Sequence, residues 1–198
     1  MSSFYYLATA LPALKIGEIP DITFEEFDQM LRDNLSKEDY TQVVEFRRYF
    51  DIQNFRAILK GEEFDPHGNF DEKELEEELI QQETIPSYFK EYLDKYPSKE
   101  EHITHFPELL AAYFRDESDQ AKGILKKYLE FERDLRLVMV GFRAKKLKRD
   151  LSRELQFENP DEDLIAQILA QKDAPEFEPP DGFEELRALF ETYQNDPM

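Results

Sequence analysis

The chain has 198 residues, with 45 acidic and 25 basic side chains, a formal net charge of -20 and 40% hydrophobic residues. This apolar share is sufficient for a buried core and excludes a disordered acidic tail, while the charge argues against nucleic acid as the partner. No apolar run reaches the roughly 18 residues of a membrane span, so direct membrane insertion is not expected. The absence of cysteine excludes disulfides, thiolate metal sites and cysteine nucleophiles.

Helical signals dominate the first half of the chain. Scarce glycine and prolines at segment starts predict an all-α fold, a helical bundle with long amphipathic helices. The apolar stretch 4–14 is expected to be a buried element, and no signal-peptide pattern precedes the first polar stretch, which favours the cytoplasm. The capping-box pattern of Thr23 and Glu26 predicts a helix at 24–34. A long amphipathic helix is predicted over 37–60, and a solvated acidic helix within 62–83.

Prolines divide the second half into further helices. The pair Pro86 and Pro97 brackets a short aromatic helix, and Pro107 is expected to begin another. A long helix predicted over 119–151 would measure about 50 Å at 1.5 Å per residue. It is followed by a shorter helix from Pro160 to about Lys172.

The long helix carries an apolar stripe with alternating steps of four and three residues. This heptad spacing is typical of a helix that packs lengthwise in a bundle or against a partner helix. The stripe consists of Ile124, Tyr128, Phe131, Leu135, Val138 and Phe142.

The domain organisation follows from a proline-rich segment near the end of the chain. Residues 174–182 are predicted to be a linker and the best hinge candidate. They would separate a helical bundle domain at 1–173 from a C-terminal amphipathic helix at 183–198.

The sequence offers little catalytic equipment. It has no glycine-rich phosphate loop, nucleophile elbow or zinc-protease helix, so we expect neither an enzyme nor a cofactor. Glu101, His102, His105 and Glu108 would bring imidazole and carboxylate groups to one helix face. Pro107 interrupts that geometry, which favours a turn-exposed pair of histidines over a metal site.

A second pattern imitates a calcium loop. The stretch 65–71, with Glu76 at the twelfth position, spaces oxygen ligands as such a loop does. However, His67 occupies the third ligand position and Phe70 the position that needs glycine. A turn followed by a helix capped by Asp71 is favoured, and no metal site is expected.

Six basic residues and one acid, Asp150, lie between Arg143 and Arg153. They are interpreted either as a helix C-terminus that complements the dipole and pairs with the acidic segment 62–83, or as a docking face for an acidic partner helix. The candidate partner contacts are Arg143, Lys145, Lys146, Lys148 and Arg149.

Several segments resemble known families. The opening, Phe4-Tyr5-Tyr6-Leu7-Ala8-Thr9-Ala10-Leu11-Pro12-Ala13-Leu14 followed by Gly17, Pro20 and Thr23-Phe24-Glu25-Glu26-Phe27, resembles a bacterial family of unknown molecular role encoded within V-type (A/V-type) ATP synthase operons. The segments 49–60, 131–136 and 142–146 are distantly similar to helices of the C (or d) subunit of V-type ATPases.

The resemblance implies a non-catalytic V-type ATP synthase or ATPase subunit, or an assembly partner, that takes part in proton or other ion transport. Its partners would be the central shaft and the membrane rotor ring, between which the C subunit forms a coupling element. It would lie in the cytoplasm, peripherally associated with the inner membrane through the complex. The chain has room for two helical repeats like those of the C subunit.

An alternative interpretation comes from the charge alone. A net charge of -20 and the sparsely apolar helix predicted at 71–82 favour an acidic helical adaptor that binds a basic protein.

Overall fold

The computed structural model describes residues 4–193, and within that range it contains helices and no strands, which confirms the all-α class. No helix in this range combines the length and the apolar character that crossing a bilayer requires. The helices are α1 Phe4–Ala10, α2 Phe24–Asn34, α3 Lys37–Lys60, α4 Glu72–Gln81, α5 Ser87–Lys95, α6 Lys99–Gln120, α7 Gly123–Lys146, α8 Leu151–Glu154, α9 Asp163–Leu169 and α10 Glu185–Tyr193.

The chain divides after Pro86 into two compact units, the first containing α1 to α4 and the second α5 to α10. The division predicted from sequence, a bundle at 1–173, a linker at 174–182 and a helix at 183–198, uses a different boundary and stays a prediction. Residues 194–198 of that last helix lie outside the described residues.

In the first unit, side-chain caps begin the helices where the sequence predicts. The hydroxyl of Thr23 accepts from the backbone N–H of Glu26, whose carboxylate accepts from the N–H of Thr23, so the capping box forms and α2 follows. Ser36 caps α3, which buries Ile52 and Phe55. These local contacts satisfy backbone donors that have no partner within the helix.

The expectation that the whole stretch 4–14 is buried is wrong. Leu7 is buried, but Tyr6 is 61% and Leu14 78% exposed. A helix as short as α1 turns only one narrow side toward its neighbour, so the other apolar side chains remain in solvent.

Pro107 lies inside α6 instead of beginning a helix, so that prediction is wrong. The helix begins earlier, at a capping box formed by Ser98 and Glu101. Proline inside a helix costs about 3 kcal/mol. The buried side chains of Phe106 and Leu109 on either side provide the packing that offsets this cost.

The long helix predicted over 119–151 is interrupted. Residues up to Gln120 belong to α6, and α7 begins at Gly123, whose φ of +60° is a left-handed conformation that a continuous helix does not contain. Its 24 residues span about 36 Å rather than the predicted 50 Å.

The predicted stripe on α7 is buried only in its C-terminal half. Val138 and Phe142 are buried in the core of the second unit, whereas Ile124 is 86%, Tyr128 42% and Phe131 54% exposed. The burial of the first half was therefore wrongly predicted, because Leu125 and Leu129, one position along the helix, take the inner side.

The core of the second unit joins α7 to α8, α9 and the C-terminal segment. Phe183, Leu186 and Phe190 pack against it from outside. The buried members are Leu137, Val138, Phe142, Ala144, Leu151, Leu155, Ile165, Ile168 and Phe177.

Candidate partner-binding surface

The C-terminus of α7 forms a Schellman motif in which a lysine takes the left-handed position. The N–H of Arg149 donates to the carbonyl of Ala144 at 2.8 Å, and the N–H of Lys148 donates to the carbonyl of Lys145 at 3.1 Å. Lys148 has a φ of +53°, a conformation that favours glycine. The motif gathers cationic side chains at the end of the helix, where they complement its dipole.

The five predicted contact residues have different roles in the structure. The Nζ of Lys145 donates to the carbonyls of Lys172 at 2.6 Å and Ala174 at 2.8 Å, so this side chain holds the turn that follows α9 on α7. The other four are exposed and form what we call the basic face. The basic face consists of Arg143, Lys146, Lys148 and Arg149.

The basic face also contains an apolar side chain. Leu147, which is 55% exposed, lies in sequence between its cations. Arg149 Nη1 lies 3.7 Å from Glu154 Oε1, but an ion pair this exposed contributes little free energy. An apolar centre with a cationic surround suits a partner helix that carries acidic side chains. The predicted pairing with the acidic segment 62–83 stays a prediction.

A charged network holds the segment after α8 on the middle of α7. Arg133 contacts Glu158 at 2.9 Å and Glu162 at 2.6 Å, and Arg136 pairs with the same Glu158, whose side chain is 6% exposed. The pKa of Arg133 lies above its usual range. Burial alone would lower this pKa, but the hydrogen bonds to Glu162 and Glu158 outweigh the effect of burial. The network fixes the orientation of α9 relative to α7.

Next to this network is a cleft of about 400 Å³ between α6, α7 and residues 156–162. Its walls carry charged groups and the ring of Phe114, over which the Arg136 guanidinium lies at 5.5 Å from the ring centroid. The guanidinium of Arg133 on its wall already binds two carboxylates.

The four residues considered for a metal site have other roles on α6. His102 stacks on Tyr92 with ring centroids 5.5 Å apart, and His105 stacks on Tyr96 at 4.1 Å. Glu108 accepts hydrogen bonds from Lys95 and Tyr96. The histidines therefore lie on a continuous helix against aromatic rings, and the prediction of a turn-exposed pair is wrong, because α6 continues through Pro107.

The segment that imitates a calcium loop is bound to α3 by protein groups. The carboxylate of Asp51 accepts from the backbone and side-chain amides of Asn69 at 2.6 and 2.7 Å, and Asn54 exchanges two hydrogen bonds of 2.8 Å with the backbone of Asp65. Burial raises the pKa of Asp51, against the lowering effect of those amides. Asp71 caps α4 as predicted.

Arg47 completes the attachment of this loop, which we call the α3 loop (residues 61–71). Its guanidinium donates to the carbonyls of His67 and Gly68 and pairs with Asp28 at 2.8 Å. A Cβ on Gly68 would lie 2.5 Å from Asp51 Oδ1, so the close approach requires glycine. Within residues 4–193, no group of three or more His, Asp or Glu is placed to hold a metal ion.

Comparison with known sequences gives the family. The family described as "Protein of unknown function (DUF2764)" matches residues 1–198. The chain belongs to the DUF2764 family. A protein of Chlamydia trachomatis serovar D is 30% identical over 199 residues, which cover 98% of this chain and 75% of the relative. Relatives in Chlamydia muridarum and Chlamydia pneumoniae are 28% and 27% identical over the same shares, and all three are described as uncharacterized proteins.

No solved structure matches this DUF2764 protein. Two features were not predicted from the sequence: the ion-pair network of Arg133 and the contacts of Arg47 with Asp28 and the α3 loop. The arginines at 133 and 136, three positions apart on one helix face, signal such a network in the sequence. Their acidic partners follow a turn more than twenty residues later, where no local spacing indicates the contact.

Proposed function

We propose that this DUF2764 protein is a non-catalytic subunit or assembly partner of a V-type ATP synthase or ATPase. In this role it would act as a coupling element, similar to the C subunit, between the central shaft and the membrane rotor ring. It would work in the cytoplasm, held peripherally at the inner membrane by the other subunits.

The segments that resemble the C subunit lie on the two longest helices within residues 4–193. Residues 49–60 belong to α3, and residues 131–136 and 142–146 belong to α7, each helix having 24 residues. In α3, Asp51 and Asn54 bind the α3 loop, and in α7 the arginines bind the segment after α8. These motif residues build rigid supports, which is what a torque-transmitting element needs.

The observation that supports the proposal most directly is the basic face. Its four cations are exposed at the end of a long helix, in a chain that is otherwise strongly acidic. Such a local field accelerates association with an acidic surface and fixes its orientation. One of these cations, Lys148, adopts a left-handed conformation in which glycine would be less strained.

The test is recovery of ATPase subunits with the tagged full-length protein from detergent-solubilised membranes of the source cell. The unmodified protein should bring down central-shaft and rotor-ring subunits, identified by mass spectrometry, at low and moderate salt. The double variant Arg143→Glu, Lys148→Glu should recover much less, because two attractive contacts become repulsive.

A matched control changes the same charge elsewhere. Lys37→Glu with Lys99→Glu alters two exposed lysines at the starts of α3 and α6 and should leave recovery unchanged. If the unmodified protein recovers no ATPase subunit, or if deletion of its gene leaves assembly and ion pumping intact, the proposal is wrong.

The acidic helix α4 favours a second candidate, an adaptor for a basic protein. This helix buries only Leu75, and the carboxylates of Glu72, Glu76 and Glu77 are exposed, as is Ile80 at 83%. Binding through these carboxylates should disappear at moderate salt, because exposed charges are screened beyond a Debye length of about 8 Å. Recovery of a basic protein without ATPase subunits, lost on Glu76→Lys with Glu77→Lys, would support the adaptor.

A further inference from the structure

The cleft between α6, α7 and residues 156–162 has the dimensions of a small-ligand site. Its volume of about 400 Å³ lies within the range of such pockets, roughly 300 to 1,000 Å³. Ala111, Arg115, Ser118 and Asp119 line it from α6, and their spacing places them on one face of that helix. The cleft therefore has a polar wall on α6, in addition to the ion pairs of Arg133 that hold the segment after α8.

Arg115 brings to this wall a guanidinium that is only partly used. Its Nε donates to the carboxylate of Asp116 at 2.8 Å, which restrains the orientation of the group. Its Nη1 and Nη2 make no hydrogen bond or ion pair to any residue between 4 and 193, and the side chain is 65% exposed. A guanidinium fork can bind a carboxylate through two hydrogen bonds. Arg115 is thus able to bind the carboxylate of a ligand.

Asp119 lies one turn further along the same face of α6. Opposite charges four positions apart on a helix can reach each other, yet within the described part of the chain Asp119 pairs neither with Arg115 nor with any other residue. Glu130, which lines the cleft from α7, has one long contact of 3.8 Å with Lys126. Two carboxylates are therefore available to an ammonium group beside a guanidinium that is available to a carboxylate.

Aromatic rings and a hydroxyl complete the lining. Phe114 is buried and Phe157 is half-buried, and both line the cleft. The hydroxyl oxygen of Ser118 is buried and has no hydrogen-bond partner among the described residues, which is uncommon in folded proteins. Rings beside charged groups suit a ligand with an aromatic side chain.

We infer that this cleft binds a free α-amino acid with an aromatic side chain. Its carboxylate would accept hydrogen bonds from Nη1 and Nη2 of Arg115, and its ammonium group would donate to Asp119 and Glu130. Its ring would pack beside Phe157. The carboxylates of the cleft repel a simple anion and the guanidinium repels a simple cation, so a ligand that carries both charges is favoured. The inference is independent of the proposed function, because no ATPase subunit contributes to the cleft.

The test measures binding of L-tryptophan to the purified full-length protein. The chain contains no tryptophan, so the fluorescence anisotropy of the added amino acid reports its binding without an indole background. L-Tryptophan should bind saturably, with one site per chain. N-acetyl-L-tryptophan lacks the ammonium group and tryptamine lacks the carboxylate, so each should bind at least about tenfold more weakly.

Two results would overturn the inference. One is equal affinity for L-tryptophan, N-acetyl-L-tryptophan and tryptamine, because the indole alone would then account for binding. The other is the absence of saturable binding both of L-tryptophan and, by calorimetry, of L-phenylalanine.

The position of the site is tested with a variant that keeps the net charge. Arg115→Gln with Asp119→Asn removes one charge of each sign from the cleft and should weaken binding of L-tryptophan at least about tenfold. The matched control, Lys73→Gln with Glu77→Gln, removes an exposed pair of opposite charges on α4 and should keep the affinity of the parent. All four side chains are exposed, so both variants should unfold like the parent. Equal affinities of the two variants would overturn the assignment of the cleft.

Discussion

The ring of Phe177 lies so close to Gly141 that a Cβ at this glycine would be 2.4 Å from it. Phe177 is buried and contacts Phe142 edge-on at 4.9 Å between ring centroids. Near its own centre the proline-rich stretch 174–182 is thereby anchored to α7, two residues before the basic face begins at Arg143. The packing of Phe177 and the contacts of Lys145 are coupled, because a larger side chain at Gly141 must move the segment whose carbonyls bind Lys145.

Gly141→Ala should therefore destabilise the protein, although alanine is the better helix former. Overpacking against Phe177 should lower the free energy of unfolding by about 1 to 2 kcal/mol net of the helix propensity gained. In a Phe177→Ala background the same change should stabilise by about 0.5 to 1 kcal/mol, because the space is then open. Urea unfolding of the four proteins measures this, and a cost of Gly141→Ala that is equal in both backgrounds would contradict it.

Lys148→Gly should stabilise the protein while weakening its association. Glycine adopts the left-handed conformation without strain, which should raise the free energy of unfolding by about 0.5 to 1 kcal/mol after the greater freedom of the unfolded chain is counted. Arg143→Gly, inside α7, should instead cost about 1 kcal/mol. Thermal unfolding measures the change in stability, and recovery of ATPase subunits with the tagged protein measures the change in association. Equal destabilisation by both changes would show that the turn at Lys148 is not strained.

Glu158→Gln should destabilise the second unit more than the loss of an exposed charge does. It leaves Arg133 and Arg136 without their shared carboxylate, at a site where that side chain is 6% exposed. Breaking a buried pair in this way costs roughly 3 kcal/mol. Glu162→Gln is the control, since its side chain is 40% exposed and the loss should stay below about 1 kcal/mol. Similar losses in urea unfolding would indicate that Glu158 is no more important than its exposed neighbour.

The fold class and the capped starts of α2 and α4 were predictable, because a cap is a contact between residues three apart. Thr23 with Glu26 and Asp71 with Glu74 are such pairs. The side of α7 that faces the core could not be predicted in this way. The stripe beginning at Ile124 and the row of Leu125 and Leu129 are both apolar, and tertiary packing selects between them.

The candidate surface was predictable only in part. Five cations in a short run indicated it, but the withdrawal of Lys145 into contacts with the carbonyls of Lys172 and Ala174 depends on residues 27 and 29 positions away. The hold of Arg47 on the α3 loop is of the same kind, since its carbonyl partners lie 20 and 21 residues away. Contacts at such separations leave no periodic trace in one sequence.

Buried and exposed apolar side chains on α7 should respond differently to truncation. Leu137→Ala removes a fully buried side chain beside the covered half and should cost about 2 to 5 kcal/mol. Ile124→Ala, at 86% exposure, should change the free energy of unfolding by less than about 0.5 kcal/mol. Guanidinium unfolding of each variant measures the difference. A large loss at Ile124 would show that this exposed residue contributes to the stability of the isolated chain.

His102 should make the stability of the protein depend on pH below neutrality. Burial lowers the pKa of its imidazole below the ordinary 6.5, against the smaller raising effects of the Tyr96 backbone and Glu101. The unfolded chain then binds the proton more readily than the folded one. The contribution is complete above pH 6.5 and is lost as the pH falls from there through the lower pKa of the folded state.

The variant His102→Gln removes the titrating group from its place against Tyr92. Its unfolding temperature at about pH 7.5 reports the packing cost, and the further fall toward about pH 5.5 should be smaller than in the parent. Calorimetric scans of both proteins across this range provide the comparison. Parallel curves would mean that the ring of His102 exchanges its proton as easily in the folded chain as in the unfolded one, and that its stacking on Tyr92 does not exclude water.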